Sequence, residues 1–125
     1  MKKAVHIAMF SFIGLLACED EGIKYPDFGP LRYSFMADSL YPSIVNDSLK
    51  ALISYSACGG NKPLEIQYRV LDANECTVWL HYPGNSWEPC SAYFTQFVAM
   101  KMPERALQSP KILLLAPYGG PYVLK

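Results

Sequence analysis

Histidine is scarce: the 125 residues hold two, His6 and His81. No HExxH pair and no other multi-histidine metal set can be drawn from them. A Ser-His-Asp or Cys-His constellation would have to be built on one of these two rings. Charge is also sparse, at 18% of residues, and balanced at 11 basic and 11 acidic. Nucleic-acid binding needs a basic patch, and the balance supplies none. There is no GxxxxGK[ST] phosphate loop, because Cys58-Gly59-Gly60-Asn61-Lys62 lacks that spacing. Carboxylates such as Glu65 and Glu88 share no spacing that joins them as an acid/base pair. These shortages argue against an enzyme, and no cofactor or metal is expected. The length allows one domain, and 51% hydrophobic residues exclude a disordered chain.

What is present begins at the amino end. Met1-Lys2-Lys3 is basic, Ala4 to Ala17 is almost wholly apolar, and Cys18-Glu19-Asp20-Glu21 follows. A short basic start, an apolar run and a small residue at its end describe a secretory signal. The run falls short of the roughly 20 apolar residues of a spanning helix. Leu15-Leu16-Ala17-Cys18 resembles the lipobox of bacterial lipoproteins. The resemblance implies cleavage before Cys18, a diacylglycerol on its sulfur, and usually a third acyl chain on its new amine. Each buried methylene adds about 0.8 kcal/mol, so two or three chains hold a protein on a bilayer stably. Glu19-Asp20-Glu21 resembles the acidic tag that sends some Gram-negative lipoproteins to the cell surface; it reads equally as a solvated acidic tether. The expected partner of Cys18 is therefore a membrane of the bacterial cell envelope, with the outer membrane or the cell surface favoured.

The expected organisation is a signal peptide at 1–17, a lipidated tether at 18–30, and one β domain at 31–125. Without residues 1–17 the chain keeps nine basic and eleven acidic residues, a balance that names no charged partner. Gly22, Pro26, Gly29 and Pro30 break regular structure in the tether. Leu31 to Ala37 is a first strand candidate, and Tyr41-Pro42 and Asn46-Asp47 mark turns. From Ser48 to the end the pattern has period two, clearest over 48–125. Leu49, Ala51, Ile53 and Tyr55 alternate with Lys50, Leu52, Ser54 and Ser56. Leu64, Ile66, Tyr68 and Val70 alternate with Glu65, Gln67 and Arg69. Cys76, Val78, Leu80 and Tyr82 alternate with Thr77, Trp79 and His81. Ala92, Phe94, Val98 and Met100 share a face that Gln96 interrupts. Lys111 to Ala116 and Tyr122 to Lys125 complete the set, and Pro103 to Gln108 is mildly helical. Such alternation, bounded by Gly, Pro and Asn clusters, argues for half-buried strands. Six or seven short strands predict an all-β fold, a small immunoglobulin-like sandwich, with a small up-and-down barrel as the alternative.

With Cys18 acylated, Cys58, Cys76 and Cys90 allow three single pairings. Cys76 lies on the apolar face with Val78 and Leu80, where it serves as a small core side chain. Cys58 and Cys90 each stand at the edge of a turn, so a Cys58–Cys90 disulfide is expected. It would close a loop of about 30 residues and stabilise by roughly 3–4 kcal/mol. An exported compartment permits it.

The candidate binding surface is aromatic. Trp79, Tyr82 and Trp87 gather near the Tyr82-Pro83-Gly84-Asn85-Ser86-Trp87 loop, and such rings anchor interfaces or stack on sugars. Tyr93 joins them in sequence and reads as a cross-strand aromatic. His81 reads as a surface strand residue. Asp38-Ser39-Leu40 and Asp47-Ser48-Leu49 repeat a tripeptide that resembles an O-glycosylation acceptor of some Gram-negative phyla, at Ser39 and Ser48. The same residues also make ordinary Asp/Ser turns.

Tyr55-Ser56-Ala57-Cys58-Gly59-Gly60 and Pro89-Cys90-Ser91-Ala92-Tyr93 are similar to segments of small cell-envelope lipoproteins that carry one disulfide and no assigned activity. A fainter resemblance links the chain to lipoprotein inhibitors of lysozyme. Their Tyr-x-Cys element is Tyr55-x-x-Cys58 here, and their Ser-Gly-x-x-Tyr loop is absent. The function expected is a lipid-anchored module that binds an envelope protein or glycan. The alternative is an inhibitor of an extracytoplasmic hydrolase such as lysozyme or a protease.

Overall fold

A computed structural model describes residues 26–84 and 90–125. Eight strands and one helical turn follow in order: β1 (Tyr33–Phe35), β2 (Ser43–Val45), β3 (Ser48–Ala57), β4 (Glu65–Val70), β5 (Glu75–His81), β6 (Ala92–Lys101), α1 (Glu104–Leu107), β7 (Lys111–Leu115) and β8 (Tyr122–Val123). They form two four-stranded sheets. In the first, β3 is central. β6 lies along one of its edges, and β1 and β2 lie end to end along the other. The second runs β4-β5-β7-β8, with β5 and β7 parallel and the other pairs antiparallel. The sheets do not close on each other, so the fold is a small all-β sandwich and the barrel alternative is set aside.

The period-two pattern decides which side chains meet. Leu49, Ala51, Ile53, Tyr55 and Ala57 of β3 are fully buried, while Lys50, Leu52, Ser54 and Ser56 point outward. Opposite them the second sheet supplies Cys76, Val78, Leu80, Ile112 and Leu114, and Met102 and Ala106 close one end. β2 had no counterpart in the sequence pattern. It exists because ten-residue β3 outlasts β1 and leaves an edge for Ser43–Val45 to pair. Asn46 and Asp47, at φ 52° and 64°, turn the chain from β2 into β3. Both residue types tolerate the left-handed region that a two-residue hairpin needs.

One buried hydroxyl joins the layers. The N–H and C=O of a strand residue point to the same side. At Leu80 the β5–β7 ladder has already stopped, at the Trp79–Leu115 pair. Tyr33 of β1 fills the gap. Its hydroxyl donates to the Leu80 carbonyl at 2.8 Å and accepts from the Leu80 N–H at 3.2 Å. Burial pushes the Tyr33 phenol well above its usual range, against a smaller opposing effect of the Leu80 bond. The neutral hydroxyl can both donate and accept a hydrogen bond. Edge-to-face ring contacts continue the seam from Phe28 through Tyr33, Phe35 and Tyr122 to Tyr41, with centroids 5.5–6.0 Å apart.

The opposite side is tied by Gln96. On β6 its side chain interrupts an apolar face, and the structure shows why. Its Oε1 accepts from the Tyr55 hydroxyl at 2.6 Å and from the Lys62 N–H at 2.8 Å, while Nε2 donates to the Lys62 carbonyl at 2.9 Å. One amide thus fixes the connection between β3 and β4. The expected Cys58–Cys90 disulfide is present there, with Cα atoms 4.8 Å apart.

Replacing Tyr33 with Phe leaves two buried backbone groups without a partner and is expected to cost about 1–3 kcal/mol in urea melts. The raised phenol pKa adds a pH dependence. Stability is full below the unfolded value of about 10 and falls as pH rises past it. That alkaline loss should be smaller in Tyr33→Phe. Replacing Cys58 and Cys90 together with Ser should cost roughly 3–4 kcal/mol, given the loop they close. A double mutant as stable as wild type would refute that assignment of stability.

Candidate functional site

Of the expected aromatic surface the structure describes Trp79 and Tyr82. Trp87 lies in 85–89, outside the described residues. Trp79 and Tyr82 are three positions apart on and just beyond β5, so they fall on opposite sides of it. Trp79 stands on the outer side, opposite Gln67 of β4 and Leu115 of β7. Flanked on both sides by strands, it is 8% exposed. Its indole Nε1–H donates to Gln67 Oε1 at 3.0 Å. Tyr82 packs against the core, with Lys62 Nζ 5.7 Å from its ring centroid.

Trp79 nevertheless forms one wall of a hollow. Ile66, Gln67, Tyr68 and Arg69 line the rest, around a cavity of about 440 Å³. β4 is an outer strand of its sheet among the described residues, which leaves these four side chains a free flank. The lining is mostly apolar, with a guanidinium and an amide at its margin. That chemistry suits a flat or apolar ligand held in place by a few hydrogen bonds. The β4 residues were visible in the sequence as a strand. Nothing in their alternation marked that strand as an edge.

A smaller hollow of about 210 Å³ lies at the other end of β4, between Val70, Asp72, Ala73, Arg105, Gln108 and Ser109. Asp72 is already engaged there: its Oδ1 accepts the N–H groups of Asn74 and Glu75 at 2.7 and 2.9 Å and shapes the β4–β5 turn.

His81 is more engaged than a plain surface residue. Its Nδ1 donates to the Asp27 carbonyl at 2.7 Å. Beside it the Tyr82 N–H donates to the Phe28 carbonyl at 2.9 Å. Residues 26–30 of the expected tether therefore run along the end of β5. Gly29 permits this approach. Its φ is +78°, and a Cβ there would stand 2.1 Å from the Tyr82 carbonyl oxygen. Cys76 is fully buried, and burial pushes its thiol pKa up, a smaller effect of hydrogen bonds opposing it. It is a core side chain and a poor nucleophile.

The two repeated tripeptides differ in access. Ser39 is exposed in the turn after β1. Ser48 is half-buried as the first residue of β3, with Val45 and Lys101 opposite it. Among the described residues no cluster of three or more His, Cys, Asp or Glu side chains is placed to hold a metal. Among them, too, no helix is long and apolar enough to cross a membrane.

The chain matches no protein-family model, no curated protein and no solved structure.

The bond between Gln67 and Trp79 can be tested directly. Gln67→Leu leaves the indole N–H unpaired, with an expected loss of about 1 kcal/mol and a shift in tryptophan emission. Unchanged emission and stability would show that the bond does not form in solution.

Proposed function

We propose that the chain is a lipid-anchored module of the bacterial cell envelope. It is held to a membrane through acylated Cys18 and binds an envelope protein or glycan. The observation that carries the compartment is the Cys58–Cys90 disulfide. Stable disulfides belong to oxidising, exported compartments and are rare in the cytosol. It agrees with the basic, apolar and Leu-Leu-Ala-Cys order of residues 1–18. The binding role is supported by the hollow beside Trp79, whose walls are Ile66, Gln67, Tyr68 and Arg69. Exposed Ser39 is the better placed of the two serines to carry a glycan. Its neighbour Asp38 supplies the acidic residue of the tripeptide.

The test has two arms. Cells producing the wild-type chain should incorporate labelled palmitate, and cells producing Cys18→Ser should not. A wild-type chain without label overturns the anchor. For binding, an envelope extract passed over the immobilised protein should leave a bound species that Arg69→Glu retains at a small fraction of the wild-type amount. Equal retention by both would remove the hollow from the proposal. Inhibition of lysozyme or a protease at equimolar dose would replace the binding-module reading with that of an inhibitor.

A further inference from the structure

Strand β6 is a long and undefended edge. It pairs with β3 on one side and has no strand partner on the other among the described residues. Edge strands of monomers are kept short, charged, bulged or broken by proline, because their free N–H and C=O groups can template pairing with another chain. β6 runs ten residues, and its register against β3 is continuous, without a bulge. From Ala92 to Met100 it contains no charged residue and no proline. Its solvent side carries Tyr93, 76% exposed, and Phe97, 56% exposed, on either side of Thr95.

We propose that this edge pairs antiparallel with β6 of a second copy, about a two-fold axis through Thr95. In a continuous sheet, residues opposite each other face the same side. With Thr95 on the axis, Tyr93 of each copy meets Phe97 of the other, an aromatic cross-strand pair made twice. Lys101 lies beyond the overlap, so no charge faces a like charge. The strand is therefore complementary to itself, as a two-fold interface requires. The exposed rings also give the pairing apolar area to cover. At 150–250 Å² for a whole ring residue, Tyr93 and Phe97 leave roughly 250 Å² exposed per copy. Covered in full, two copies would supply about half of the roughly 1,000 Å² at which a specific interface begins. The strand backbones add to this. The pairing does not depend on acylation of Cys18.

The full-length chain in detergent tests it. Thr95→Cys would place two thiols on the axis, with Cα atoms about 4.5–5.5 Å apart, within disulfide reach. Mild oxidation should turn this variant into a covalent dimer on a non-reducing gel. With Cys18→Ser in every chain compared, the parent, whose Cys76 is buried, and Phe97→Cys should not cross-link. Thr95→Lys sets like charges face to face and should weaken self-association by about fivefold in sedimentation experiments. Its circular dichroism and its Cys58–Cys90 bond should match wild type. Cross-linking through Phe97→Cys but not Thr95→Cys would overturn the register. A wild-type chain that sediments as a monomer at every concentration would overturn the pairing itself.

Discussion

A single buried phenol bridges the two sheets. β1 is three residues long, too short to be stable by its own ladder, yet it carries Tyr33 to the point where the β5–β7 pairing stops. There the hydroxyl meets both backbone groups of Leu80. An unpaired N–H and C=O at that depth would each carry the cost of lost hydration. The hydroxyl therefore ties β1 of one sheet to β5 of the other. The ring seam from Phe28 to Tyr41 follows from that placement, because it starts on Tyr33 and crosses to Tyr122 of β8.

The other flank of the sandwich is organised differently. Gln96 holds the Lys62 peptide, and the disulfide joins the end of β3 to the approach of β6. Among the described residues β4 and β6 are each an edge, one in each sheet. The larger hollow opens on the first, and the exposed Tyr93 and Phe97 stand on the second. A rigid aromatic seam on one flank and two open strand edges on the other make the molecule asymmetric. The segment at residues 26–30 is fixed to the end of β5 through His81 and Tyr82. The described part of the expected tether, residues 26–30, thus lies against the second sheet.

Much of this was readable before any coordinates. The alternation in 48–56 and 76–82 marked which side chains of β3 and β5 enter the core, and the disulfide pairing followed from which cysteines lay beside turns. Other features were hidden. β2 is three residues between two turns, and its pairing depends on the length of β3, seen only once the two are side by side. Gln96 looked like a flaw in an apolar face because its partners, Tyr55 and Lys62, lie more than thirty residues away. Trp79 looked available because it alternates with core residues. Its strand proved to be an inner one, and its neighbours Gln67 and Leu115 cover it.

The division has a physical origin. Which way a side chain points along a strand is a local consequence of the extended backbone, so it is written in residue order. The address expected of residues 1–18 is equally local, a matter of charge, apolar length and one cysteine. Whether a strand is inner or outer is set by hydrogen bonds to segments far along the chain. Those partners are selected by packing, which no short stretch of residues encodes. The strand ladders and the long-range bonds of Tyr33 and Gln96 made β4 and β6 edges and β5 an inner strand, and with that choice they settled where this protein has surface to offer.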